Sequence, residues 1–237
     1  MSQRGLVIVP AFNEAASISE VLSGLRRAAP YLDRLVILDG SRDGTADVIR
    51  HMGETAVVLP CNVGYGHALQ VGFQYALTRG YDVIVTFDAD GQHRPEDVPR
   101  LLAAMADTGA DVVIGSRFDR QRPYSGPLGR QFGQRLLSLF TGIFAGERIY
   151  DTTSGLKAMR RRAVRLLASA PFLDLHVESV VRLKLQGLVV TEAAVNMGAR
   201  WDGRSMYSSF DALTYPVKVL LLSAIAVVDS LLHRGGK

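Results

Sequence analysis

The first half of the chain alternates two patterns of apolar positions. Near-continuous apolar runs rich in β-branched residues occur at Leu6–Val9, Leu35–Leu38, Ala56–Leu59, Val83–Phe87 and Val112–Ile114. Their length and lack of polar alternation predict strands buried on both faces. Between them, over roughly 15–29, 45–51, 67–78 and 95–106, the spacing is helical. Asp43-Gly44 before the second of these and Pro95-Glu96-Asp97 at the fourth are helix-start signals. Strands and helices in this order predict an α/β fold, a doubly wound and mainly parallel sheet flanked by helices.

The second half is less regular. The pattern predicts a helix over 128–144, a short strand at Leu156–Met159, helices at Arg161–Ala168 and Leu175–Gln186, a strand at Leu188–Val195 and a Gly- and Ser-bearing loop over 198–209. No repeat or low-complexity linker divides the chain, so residues 1–210 are expected to form one domain, with 211–237 appended. The appendage holds an almost wholly apolar run, Val219–Val228, bracketed by Lys218 and Asp229. Ten helical residues span about 15 Å, half a bilayer core, so the run is too short to cross a membrane unaided. It suits a last helix packed on the core, an interfacial helix, or a contact with another copy or with a small membrane protein.

In a doubly wound fold, ligands sit at the carboxyl ends of the strands. Those ends read Pro10-Ala-Phe-Asn-Glu14, Asp39-Gly-Ser-Arg-Asp43, Cys61-Asn62 and Asp88-Ala-Asp90, so polar and acidic residues gather where the fold places a site. No G-x-G-x-x-G follows the first strand, and Gly64-Tyr65-Gly66 lacks the third glycine, which disfavours a dinucleotide-binding domain. There is no P-loop. Asp88 and Asp90, one small residue apart after a buried strand, suit a hard divalent cation such as Mg²⁺ or Mn²⁺, with Gln92 able to add a neutral oxygen. Such an ion neutralises a nucleoside diphosphate and stabilises it as it departs. His93 is either a further ligand or a packing residue.

Charge and composition narrow this picture. Of 237 residues, 48% are apolar and 21% charged, an ordinary globular balance. The single cysteine, Cys61, excludes an internal disulfide and fits a reducing compartment. No signal-peptide pattern precedes the first strand, so a cytoplasmic site of action is expected. The net charge of +4 is uneven: residues 117–165 carry eleven Lys/Arg against three Asp/Glu, the remainder sixteen against twenty. A basic middle suggests contact with phosphate on a substrate or an anionic membrane, or a solvated basic face. The basic residues are not interleaved with aromatics, so no nucleic-acid partner is expected.

Seven motifs then fall in register over about residues 5–206: Val9-Pro-Ala-Phe-Asn-Glu14, Asp39-Gly-Ser-Arg-Asp-Gly-Thr45, Asn62-x-Gly-x-Gly-x-Ala68, Asp88-Ala-Asp90, Gly115-Ser-Arg117, Asp151-Thr-Thr-Ser-Gly155 and Arg200-Trp-Asp-Gly-Arg-Ser205. In this order they resemble family 2 glycosyltransferases of GT-A fold, and within them the dolichyl-phosphate mannose synthase and polyprenyl-phosphate sugar transferase branch. The resemblance implies an inverting, metal-dependent hexosyltransferase using a nucleotide-sugar donor. It implies that Pro10, Ala11, Asn13, Glu14, Gly66 and Ala89 line the nucleotide pocket and that Asp39 binds the base. Asp88 would approach ribose and metal, and Asp90 and Gln92 would hold the metal. Arg117, Arg130 and Arg200 would contact the donor diphosphate and an acceptor phosphate.

The chain departs from that pattern in places. Leu38 stands where the family has a first acid before Asp39, Met206 where it often has lysine, and Gln134 where relatives carry serine. The Glu-Asp pair that deprotonates a sugar hydroxyl in many members is replaced by Leu175-His-Val-Glu-Ser179. A phosphate acceptor is already anionic and needs no strong base, which favours polyprenyl phosphate over a saccharide hydroxyl. His176 or Glu178 remains either a base or an orienting residue. Saccharide transfer, and a non-catalytic nucleotide-binding scaffold for a membrane partner, are the other readings.

Overall fold

The computed structural model describes residues 3–117, 142, 149–170 and 175–198. Five strands of the first half, β1 (Gly5–Ala11), β2 (Asp33–Asp39), β3 (Ala56–Leu59), β4 (Val83–Thr86) and β5 (Val112–Ser116), are joined by β6 (Lys157–Arg160) and β7 (Val190–Ala194) in one sheet of order β3-β2-β1-β4-β6-β5-β7. All pairings are parallel except those of β6, which runs antiparallel to both β4 and β5. The helices are α1 (Ile18–Ala28), α2 (Thr45–His51), α3 (Tyr65–Arg79), α4 (Asp97–Thr108), α5 (Arg161–Ala168) and α6 (Val177–Leu185).

Successive strand residues point to opposite faces, so each apolar run feeds two cores. Leu6, Ile8, Leu35, Ile37, Ile84 and Ile114 meet Leu69 and Phe73 of α3, Val164 and Leu167 of α5 and Val180 of α6. Val7, Val9, Val36, Val85 and Val113 meet Ile18, Leu22 and Leu25 of α1 and Val98, Leu101 and Met105 of α4. Burial on both faces is why β1, β2, β4 and β5 show no polar alternation, whereas β3 departs from the expectation: it is an edge strand of the sheet, and Val58 is exposed.

The elements begin where local hydrogen bonding lets them. α1 starts at Ile18 rather than near 15, because Ser17 and Ile18 both donate backbone N–H groups to the Glu14 carbonyl in a turn ahead of the helix. α4 starts at Asp97, two residues past Pro95, because Asp97 and Val98 first close tight turns onto Arg94 and Pro95. The antiparallel direction of β6 is not encoded in its apolar pattern. It follows from the chain returning at the carboxyl end of the sheet, where Lys157 lies opposite Thr86 of β4 and Ile114 of β5. Among the described residues no helix is long and apolar enough to cross a membrane. Of the segments expected at 128–144 and 198–209 only residues 142 and 198 are described, and 219–228 falls outside the described residues.

Candidate active site

The strand order reverses at β1, whose neighbours are β2 on one side and β4 on the other. The crevice at that switch point is where an open α/β sheet binds ligands. Pro10 and Ala11 end β1, Asp39 ends β2, Gly66 lies in the first turn of α3, and Asp88, Ala89, Asp90 and Gln92 follow β4. Arg117 follows β5 directly. The fold therefore gathers these residues at one end of the sheet. Arg130 and Arg200 fall outside the described residues. Gly198 donates its N–H to the Gln92 carbonyl at 2.8 Å, which ties the residues just after β7 to the loop after β4.

On the β1–β2 side two loops interlock. Asn13, at φ 56°, holds a left-handed conformation that asparagine tolerates better than most residues. Its N–H donates to Ser41 Oγ (3.0 Å), and its Oδ1 accepts the Arg42 N–H (2.9 Å). Glu14 N–H donates to Thr45 Oγ1 and Ala15 N–H to Asp43 Oδ2. Burial pushes the Asp43 carboxyl up, but hydrogen bonds from Thr45 and Ala15 outweigh it and hold the group below its ordinary range. Asp39, 3% exposed, accepts backbone N–H groups from Val63 (2.7 Å) and Gly64 (3.0 Å), so it anchors the loop between β3 and α3. Gly40 completes that contact: at φ 67° a Cβ would stand 2.4 Å from the Asn62 backbone nitrogen.

On the β4 side, Asp90 is 6% exposed and its Oδ1 accepts the Gln92 N–H at 3.0 Å. Asp88 is held from several directions. The Tyr65 hydroxyl donates to Oδ1 (3.0 Å), His93 Nε2 lies 3.5 Å from Oδ2, and a Cβ at Gly155 would come within 1.9 Å of Oδ2. Burial raises the Asp88 carboxyl, but His93, Tyr65 and the Lys157 ammonium together hold it below the usual carboxylate range. His93 is buried edge-on to Phe87 with centroids 5.9 Å apart, so it packs behind Asp88. Among the described residues its Nδ1 has no hydrogen-bond partner.

Arg117 makes a bidentate pair with Asp151, Nε to Oδ2 and Nη2 to Oδ1, both at 2.6 Å, and donates from Nη2 to Thr153 Oγ1. The Asp151 side chain is fully buried. Burial raises its carboxyl, yet the Arg117 bonds and charge bring it below its ordinary value. Glu192 of β7 accepts the N–H groups of Tyr150 and Asp151, and burial pushes its own carboxyl up. Lys157, also buried, donates from Nζ to the Ser154 carbonyl. Burial lowers its pKa to about 8 against the charges of Asp88, Asp151 and Glu178. Motif reading missed Tyr65, Lys157 and Glu192, because Tyr65 and Glu192 meet partners 23 and 41 positions away and Lys157, although bonded locally to Ser154, feels the charge of the distant Asp88.

The described residues bear on two alternatives that the sequence left open. Among the described residues of the basic stretch, Lys157 and Arg160 to Arg162 make internal contacts. Arg160 donates to the Ala110 and Met105 carbonyls and Arg161 to the Tyr81 and Leu77 carbonyls, Arg162 pairs with Asp111, and Lys157 is buried. These four cations therefore fasten described parts of the chain to one another. Glu178 is buried, and its Oε1 accepts the His176 N–H and the Ser179 hydroxyl, each at 3.0 Å, at the start of α6. That environment orients the helix and does not present an open base.

The donor set fits a divalent ion shared with phosphates. Among the described residues no group of three or more His, Cys, Asp or Glu side chains forms a cage. Ions held by one or two carboxylates plus substrate phosphates need none.

Comparison with known proteins places the chain in a family and agrees with its fold. Over 237 aligned positions, covering 84% of this chain and 97% of the other, it is 34% identical to an undecaprenyl-phosphate mannosyltransferase of Micrococcus luteus. It is 36% identical to a polyprenol monophosphomannose synthase of Mycolicibacterium smegmatis over 173 positions, 69% of this chain and 64% of that one. The fold matches a crystal structure of glucosyl-3-phosphoglycerate synthase from Mycobacterium tuberculosis, solved with Mn²⁺, UDP-glucose and phosphoglyceric acid. The TM-score is 0.71 at 20% identity, with 95% of this chain and 80% of that one covered. Residues 6–167, the span that carries Asp39, Asp88, Asp90, Arg117 and Asp151, match the family model for glycosyl transferase family 2, and the chain is a glycosyltransferase of that family.

Proposed function

We propose that this glycosyltransferase moves a hexose from a nucleotide-sugar to a polyprenyl phosphate, with inversion, at the inner face of a membrane. The observation that carries the reading is the juxtaposition, at one end of the sheet, of the Asp88/Asp90 pair with the buried Arg117–Asp151 pair. It occurs in a chain whose relatives are named for undecaprenyl- and polyprenyl-phosphate acceptors. Asp88, Asp90 and Gln92 would hold Mg²⁺ or Mn²⁺, which when bound neutralises the departing diphosphate. Structural relatives were solved with Mn²⁺ or Mg²⁺ and UDP.

Pro10, Ala11, Asn13, Glu14, Asp39, Gly66 and Ala89 would enclose the nucleoside. An oxygen of the acceptor phosphate attacks the anomeric carbon as the bond from that carbon to the diphosphate oxygen breaks, and the nucleoside diphosphate leaves with the electron pair. No proton needs removing from a phosphate dianion, which agrees with the buried, helix-capping Glu178. The chain's residues act by positioning and by charge neutralisation, with Arg117, Arg130 and Arg200 on the phosphates. Residues 1–210 would be the catalytic domain. Residues 211–237 would contact lipid, a small membrane protein or a second copy.

The test offers radiolabelled nucleotide-hexose and Mn²⁺ with either undecaprenyl phosphate or oligosaccharides, and separates products by organic extraction. Label is expected in the lipid phase for the wild type and to disappear for Asp90→Ala, along with Mn²⁺-dependent nucleotide binding. Undiminished turnover in that variant rejects the metal assignment, and label confined to oligosaccharide rejects the acceptor.

A further inference from the structure

We infer that Tyr65 is a positioning residue that couples the nucleotide loop to Asp88, so that donor and cation binding reinforce each other through one hydroxyl. The inference rests on the proposed function for the identity of the two ligands. Its evidence is a continuous set of contacts across the mouth of the sheet. Asp39 grips the backbone of Val63 and Gly64 at 2.7 and 3.0 Å. Gly64, at φ 90°, turns the chain straight into α3, whose first residue is Tyr65. The Tyr65 hydroxyl then reaches Asp88 Oδ1 at 3.0 Å.

The other Asp88 oxygen lies 3.5 Å from His93, and Gly155 leaves no free volume beside it. Of these neighbours, Tyr65 alone belongs to the loop that Asp39 holds. A base settling on that loop therefore acts on the direction of Asp88 through Tyr65. A cation drawn to Asp88 and Asp90 acts back on the loop through the same bond, because coupling between two binding sites is reciprocal. His93 and Gly155 bound the acid from outside that loop.

Calorimetric titration of the full-length protein with UDP and with GDP, each with and without Mn²⁺, tests this in wild type and Tyr65→Phe. The wild type is expected to bind one nucleotide more tightly with Mn²⁺. In Tyr65→Phe, binding without Mn²⁺ should stay within about twofold, while the Mn²⁺ enhancement falls at least roughly fivefold, as expected for loss of a hydrogen bond to a charged group. The donor KM should rise with kcat little changed, and Tyr65→Leu should behave as Tyr65→Phe does. An unchanged Mn²⁺ enhancement in both variants overturns the inference alone. Wild-type protein that binds neither nucleotide more tightly with Mn²⁺ overturns the functional reading beneath it.

Discussion

Gly155 shows how much chemistry can depend on one missing methyl group. Its backbone lies against the Asp88 carboxylate, and a Cβ there would fall 1.9 Å from Oδ2. A lone flexible carboxylate would swing aside at little cost, but this one is held by Tyr65 and faces His93. Gly155→Ala is therefore expected to lower kcat/KM at least roughly tenfold while shifting Tm by only a few degrees, since the displaced group lies at the site and outside the core. A thermal melt paired with steady-state rates checks this, and a large Tm loss with rates intact would contradict it. Asp88 and Asp90 were legible in the chain as a motif behind a buried strand. The need for glycine at 155 was not, because it arises from two segments 67 positions apart that meet only after the sheet forms.

At the scale of elements, the apolar runs announced each strand of the first half, and the β-branched composition that marks them suits the burial of β1, β2, β4 and β5 but gave no sign that β3 lies at an exposed edge. Strand direction was hidden, since an apolar run reads the same both ways, so the antiparallel β6 emerged only with the topology. β6 brings the 151–155 segment to the carboxyl ends of β4 and β5, where Arg117 clamps Asp151. Removing one partner of a buried ion pair strands the other charge. Arg117→Met is accordingly expected to cost about 3–5 kcal/mol in denaturant unfolding, in addition to its effect on turnover. Stability within about 0.5 kcal/mol of wild type, the range of ordinary surface substitutions, would mean that the guanidinium is not needed to neutralise Asp151.

Across the whole molecule, stability at high pH has a marker far from the crevice. The Tyr81 hydroxyl donates to Asp33 at 2.7 Å, and burial followed by the Asp33 bond and charge pushes its pKa from 10.0 to about 12. The folded state thus holds this proton more tightly than the unfolded chain. The resulting stabilisation is complete below pH 10 and drains away as pH rises from about 10 toward 12. Urea unfolding at pH 9 and 11 should show a smaller loss between the two in Tyr81→Phe than in wild type, and equal losses would remove Tyr81 as the cause. The same sheet has a consequence for how two of its strands hold together. Arg117 directly follows β5 and Asp151 precedes β6, so their ion pair latches these antiparallel neighbours by a side-chain bond in addition to their backbone ladder.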